Sequence, residues 1–245
     1  MTVTQTLALS NYHSSAMKSN VSKVEVNDFK EYCKENKIIA KLIKEKASKY
    51  FVAPILDVGA GLGDIAYNAF PEKEAICIDV NKIKEGEFPL SKNHKRKQIN
   101  FFDYKTNKQI KTVFISHTLQ FIDEDTDKLN KKIKEINPDF VIMVLNDNTD
   151  LIGELIDWTE NNFENANPEI HIAGFPKGYS LKKRIPFKAK LHCRDFDMLA
   201  KQIGYLMVVD LNETAEQLKE FLKSKLRKAE FSFKQSIEIY QRNGR

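Results

Sequence analysis

Apolar residues recur at two periods along this chain, and each change of period marks a new element. From Val26 to Phe51 the residues Phe29, Tyr32, Cys33, Ile39, Leu42, Ile43, Ala47 and Tyr50 return every three or four positions. That is the stripe of an amphipathic helix, with Asn27 or Asp28 placed to cap its start. Unbroken apolar runs of strand length follow at Ile55–Val58, Ala75–Asp79, Thr112–Ser116 and Phe140–Leu145, and Gln98–Tyr104 reads as a further strand. Such runs suit strands covered on both faces. Helical patterns alternate with them, one from Leu62 to about Phe70, where Pro71 stops it, and one from the acidic Asp123–Asp127 start to about Ile136. Toward the C-terminus the pattern predicts a helix at Asp195–Gly204, a strand at Tyr205–Leu211 and a lysine-rich helix at Glu213–Lys228. Last, Phe231, Phe233, Gln235, Ile237 and Ile239 alternate with polar residues, as in a strand with one face exposed. Strands alternating with helices predict an α/β fold around a mostly parallel sheet.

Three stretches stand outside this rhythm. Residues 1–25 are rich in Ser, Thr and Asn, with Tyr12, His13 and Met17 standing out, and read as a flexible terminal segment. Residues Glu85 to Lys97 are charged and read as surface. Residues 150–193 are longer than a crossover needs: a helix carrying Trp158, a loop-rich piece from His171 to Tyr179, then the basic run Lys182-Lys183-Arg184. Long irregular segments inside compact domains tend to carry function.

Composition narrows the class. With 245 residues, 42% hydrophobic and 30% charged, the chain has material for one sizeable core and an insert but not for two full domains. We therefore expect one domain over 26–245, with the insert at about 150–193. The net charge of +5 permits an anionic partner without requiring one. Cys33, Cys77 and Cys193 are odd in number and far apart, in neither a disulfide framework nor a zinc spacing, and no metal site is expected. No signal peptide or apolar run of membrane length is seen, so the expected compartment is the cytoplasm.

The chemistry concentrates in Ile55-Leu56-Asp57-Val58-Gly59-Ala60-Gly61-Leu62-Gly63-Asp64. A strand ends beside an acid, a turn with glycines at alternate positions follows, and a helix begins, so backbone N–H groups face whatever lies over the turn. The dinucleotide fingerprint fails, because its last glycine position is Asp64, and no Lys-Ser/Thr makes a P-loop. A carboxylate at Asp57 suits a cationic ammonium and would repel a pyrophosphate. The Asp-x-Gly-x-Gly-x-Gly run resembles motif I of the class I, Rossmann-like, S-adenosylmethionine-dependent methyltransferases.

The resemblance implies a seven-stranded sheet with helices on both faces, its seventh strand antiparallel, and a substrate cap after strand five. It implies S-adenosyl-L-methionine as cofactor and S-adenosyl-L-homocysteine as product. Asp57, Gly59, Gly61 and Gly63 would hold the amino-acid tail, Asp79 the ribose diol, and Asp103 with Phe102 the adenine. Ser116 and His117, after strand four, would lie beside the departing methyl; His117 reads either as a general base or as a residue that shapes the pocket. Candidate acceptor-binding residues are Tyr12 and His13 in a terminal lid, and Trp158, His171, Tyr179 and Arg184 in the insert. The basic run is either a solvated face or a contact to a carboxylate or phosphate of the acceptor. The family's base-directed members carry an Asn/Asp-Pro-Pro-aromatic motif where this chain has Ser-His-Thr-Leu, which argues against a nucleobase amino group as target. The expected reaction is methyl transfer to an O or N atom of a small molecule. Alternatives are a methyltransferase acting on RNA or protein, and a non-catalytic module that binds the cofactor or a partner.

Overall fold

A computed structural model describes residues 32–82, 91–119, 126–147, 149–162, 175–207 and 211–244. Its elements run α1 (Glu35–Leu42), β1 (Ile55–Val58), α2 (Asp64–Ala69), β2 (Ala75–Asp79), β3 (His94–Gln98), β4 (Thr112–Ser116), α3 (Thr126–Ile136), β5 (Phe140–Asn146), α4 (Asp150–Asn162), β6 (Tyr179–His192), α5 (Phe196–Met207), α6 (Leu211–Lys225) and β7 (Glu230–Arg242). The helix of α1 continues through a π turn at Ile43–Ala47 and a 3-10 turn at Ser48–Tyr50.

The seven strands form one sheet in the order β3-β2-β1-β4-β5-β7-β6. β3 to β5 are parallel, and β7 runs antiparallel to β5, with Phe140 opposite Gln241 and Asn146 opposite Gln235. β6 is antiparallel to β7, since Cys193 N–H donates to Ala229 at one end and Asn243 N–H to Gly178 at the other. The chain builds outward from β1 in one direction and from β4 in the other. The strand order therefore reverses between them, which is where open α/β sheets bind ligands.

Side chains alternate across the pleat and so divide into two cores. Ile55, Ala75, Cys77, Phe114, Ile142, Val144, Ile237 and Ile239 point to one face and pack with Ile39 and Ile43 and with Ala66 and Ala69 of α2. Phe51, Phe70 and Phe114 close this core, with ring centroids 5.1 to 6.5 Å apart. Leu56, Val58, Ile76, Ile78, Val113, Ile115, Val141 and Met143 point to the other face, against Leu129 and Ile133 of α3. Each buried Val, Leu, Ile, Phe or Met among them stabilises the fold by about 1.5–3 kcal/mol. This double cover is the reason the strands read as continuous apolar runs.

The chain divides into two compact units. The sheet unit comprises Glu35–Asn146, Ile170–Phe187 and Gln235–Arg245; the helical unit comprises Met1–Lys34, Asp147–Glu169 and Lys188–Lys234. Within the helical unit Trp158 of α4 stacks on Phe221 of α6, centroids 4.6 Å apart, and Lys219 of α6 pairs with Asp197 of α5 at 2.9 Å.

Two strands lie elsewhere than the pattern predicts. Of the expected strand at Tyr205–Leu211, residues 208–210 lie outside the described residues, and Tyr205–Met207 are helical instead: α5 runs to Met207, because Leu199, Ile203 and Met207 are buried at helical spacing and continue its stripe. The sixth strand is the basic segment instead, where Ile185, Ala189 and Leu191 are buried and Lys182, Arg184, Lys188 and Lys190 are exposed between them. Pro186 is tolerated there because β6 is an edge strand with no further partner to lose. The third strand is His94-Lys95-Arg96-Lys97-Gln98 rather than Gln98–Tyr104. It too lies at an edge and joins β2 through its backbone, so it needs no apolar run, and Ile99 to Asp103 turn away from it. Of the expected first helix, residues 26–31 lie outside the described residues.

Candidate active site

The carboxyl ends of β1, β2 and β4 meet at the reversal point, and the glycine turn lies over the first of them. Gly59, Gly61 and Gly63 all have positive φ, at 66°, 51° and 73°. Gly59 has a second reason to be glycine: a Cβ there would lie 2.2 Å from Thr118 Oγ1. Thr118 is held against the turn by donating its hydroxyl to Ser116 O at 2.8 Å and Val58 O at 3.2 Å. The loop after β4 is thereby packed on the glycine turn, with Ser116 beside it.

The two acids expected at the strand tips behave differently. Asp57 is 3% exposed, and burial, reinforced by repulsion from Asp79, pushes its carboxyl up to about 8. Among the described residues no cation pairs with it. Asp79 is engaged on both oxygens: Oδ2 accepts from Gly61 N–H and Oδ1 from Asn81 N–H, each at 2.8 Å. A carboxylate offers about four acceptor positions, so two remain for hydroxyl donors. Arg96 of β3 grips the same two residues from their other side, donating to Gly61 O at 2.6 Å and to Asn81 O at 2.9 Å.

Beyond β4 lies a second cluster. His117 has φ 47°, a left-handed conformation held in a non-glycine residue. Its Nε2 is 2.8 Å from Glu35 Oε1 at the start of α1 and 3.2 Å from Gln235 Nε2 on β7. Gln235 also donates to Asn146 Oδ1 at the end of β5, at 2.9 Å. Glu35 is 6% exposed; burial alone would raise its pKa, but the charge and hydrogen bond of His117 and the hydrogen bond of Gln235 outweigh that and hold it below the ordinary carboxylate value. A half-buried imidazole beside an ionised carboxylate is an arrangement suited to accepting a proton.

The remaining candidates scatter. Asp103 is exposed in the turn after β3, where Asn100 Oδ1 caps Phe102 N–H at 2.9 Å. Phe102 is half-buried, with Lys128 Nζ over its ring at 4.6 Å, while Tyr104 is fully buried in the core. Tyr179 starts β6 at the opposite end of the sheet, where its hydroxyl donates to Pro138 O at 2.8 Å. Arg184 pairs with the buried Glu238 of β7 at 2.5 Å, which gives this member of the basic run a structural partner. Trp158 is stacked within the helical unit. Tyr12, His13 and His171 lie outside the described residues.

Sequence reasoning missed Glu35, Gln235, Thr118 and Arg96 as members of the site. Two of them leave a trace: Gln235 is a polar residue in the inward phase of β7, and Glu35 sits one turn before Ile39 on the buried stripe of α1.

No family model and no curated protein matches the sequence. Solved structures do match by shape. Magnesium protoporphyrin IX methyltransferase from Synechocystis PCC 6803, which holds S-adenosyl-L-homocysteine, aligns at TM-score 0.50 and 11% identity over 91% of this chain and 88% of that one. A protein from Anaeromyxobacter dehalogenans provisionally assigned as a type II methyltransferase aligns at 0.52 and 12% identity, covering 84% and 94%. One from Galdieria sulphuraria, provisionally assigned as a sarcosine dimethylglycine methyltransferase, aligns at 0.50 and 10%, covering 85% of each chain. The strand order, the antiparallel seventh strand and these likenesses agree: this chain has the fold of the class I, Rossmann-like, S-adenosylmethionine-dependent methyltransferases.

Proposed function

We propose that this chain is an S-adenosylmethionine-dependent methyltransferase that acts on an O or N atom of a small molecule. The observation that carries the reading is the pair of acids around the glycine turn: Asp57 buried without a cation, and Asp79 aimed by two backbone amides. This donor and acceptor set fits the cofactor. Its ammonium supplies the charge that Asp57 lacks, and its vicinal ribose hydroxyls suit the two acceptor positions left on Asp79. Asp103 and Phe102 are assigned to the adenine, Gly59, Gly61 and Gly63 to the amino-acid tail, and Ser116 to the pocket wall.

When bound, the cofactor supplies an electrophilic methyl carbon on a sulfonium. The chain's task is to hold the acceptor in line with it and to remove the acceptor's proton. His117 is assigned that proton. Its Nε2 lies 2.8 Å from Glu35 Oε1, and the Glu35 carboxylate would stabilise the imidazolium formed when the ring takes a proton. His117 would take the proton that the acceptor gives up, while Asp57, Asp79 and the glycine turn would hold the cofactor that supplies the methyl group.

The test is incubation of the purified full-length chain with methyl-labelled cofactor and fractionated small-molecule extract. Label appearing in a small molecule, and lost in His117→Ala, supports the reading; label transferred only to RNA or protein fractions, or no transfer alongside tight cofactor binding, contradicts it.

A further inference from the structure

We propose that Arg96 is a positioning residue for the cofactor's ribose: by gripping the carbonyls of Gly61 and Asn81 it fixes the two loops whose amides aim the Asp79 carboxylate. The inference rests on the cofactor assignment above and extends it to a residue with no sequence signal of its own.

The geometry is a closed circuit. Gly61 and Asn81 each donate an N–H to Asp79, and each offers its C=O to the guanidinium of Arg96. One loop follows β1 and the other follows β2, so the circuit ties the two together, beside the bond that Ala60 N–H donates to Ile78 O at 3.0 Å. Arg96 stands opposite Cys77 in the β2–β3 register, on the same face of the sheet as Asp57 and Asp79, which places its side chain beneath both loops. Burial lowers the pKa of Arg96 and the neighbouring Asp79 raises it, as expected for a cation working against a carboxylate. The planar fork of arginine reaches two carbonyls at once, and a lysine ammonium in the same place is a point charge without that geometry. Gly61 takes its left-handed φ as glycine readily does, and a Cβ there would meet nothing within 4 Å, so these bonds and not side-chain packing on its α-carbon restrain the orientation of its amide. Without the guanidinium, the Gly61 and Asn81 amides lose the restraint that keeps them on opposite oxygens of Asp79. The carboxylate then has no set orientation toward a diol.

The experiment compares wild type, Arg96→Met, Arg96→Gln and Arg96→Lys in the full-length chain, titrated by calorimetry with S-adenosylhomocysteine and with its 2′-deoxy analogue. A charge-assisted hydrogen bond to a hydroxyl is worth roughly tenfold or more in affinity, so wild type prefers the diol by about that factor. The inference predicts that Arg96→Met loses most of this preference, to roughly twofold, with Arg96→Lys between the two. Arg96→Gln, which keeps one donor, serves in place of Arg96→Met should the latter not fold. A general weakening of the fold would lower both affinities together and leave the preference at its wild-type value; that result, or no change at all, overturns the role of Arg96. Wild type binding neither ligand would instead overturn the cofactor assignment, and the inference with it.

Discussion

The ends of the site proposed here for the cofactor and for the acceptor are built in opposite ways. At the cofactor end, Asp57, Gly59, Gly61 and Gly63 are neighbours in sequence, and the turn they form is set by their own backbone preferences. At the acceptor end, Glu35, His117, Asn146 and Gln235 come from four elements, and only folding brings them together. A local motif survives in the sequence as a pattern. A constellation of this second kind does not, because each member looks ordinary in its own element.

The contrast can be broken by mutation, and the largest effect belongs to the acceptor end. His117→Ala should cost on the order of 10²- to 10⁴-fold in kcat while cofactor affinity stays within about twofold. Steady-state turnover together with calorimetry checks both halves, and retained activity would remove the base. Glu35→Gln should act in the same direction by a smaller factor, since it leaves the imidazole in place and removes the charge that stabilises its protonated form.

At the cofactor end the expected signature is reversed. Under the proposed assignment, Asp79→Ala removes the acceptor of two ribose hydrogen bonds and should weaken binding on the order of a hundredfold. Substitutions in the turn itself register as stability. Gly59→Ala combines a left-handed φ with a clash against Thr118, whereas Gly61→Ala carries the φ alone, about 1–2 kcal/mol. Thermal melts should therefore place Gly59→Ala clearly below Gly61→Ala, and equal shifts would contradict the packing of the β4 loop on the turn.

The remaining effect is one of pH. Burial and Asp79 raise Asp57 from its ordinary 3.8 to about 8, so the ligand-free protein gains stability from this group when it is protonated. That contribution is complete below about pH 4 and declines as pH rises toward 8. Binding a cation requires the ionised form, so cofactor affinity should rise with pH up to about 8, with proton release measurable in buffers of different ionisation enthalpy. Asp57→Asn should flatten both trends.

How much was legible follows from the same contrast. The central strands were readable because both faces are covered, which leaves unbroken apolar runs. The edge strands β3 and β6 were not, because the sheet recruits them through backbone pairing and their exposed positions carry lysine and arginine. The run at Tyr205–Leu211 shows the ambiguity of short apolar segments: its first residues extend the stripe of α5. Within the proposed site, the acids and glycines of the first two loops form a local sequence pattern. Arg96 was one basic residue in a charged edge strand, and Gln235 a polar interruption in an alternating strand. Arg184 was read as a candidate contact to the acceptor, and in the fold it pairs with buried Glu238.

The claim on which the rest depends is that the glycine turn and Asp79 hold an adenosyl cofactor. Calorimetric titration of S-adenosylhomocysteine into the full-length wild type and Asp79→Ala tests it most directly. Saturable binding at one site per chain, weakened on the order of a hundredfold in the variant with the fold intact, is the predicted result. No binding to the wild type, or equal binding to both proteins, would contradict it.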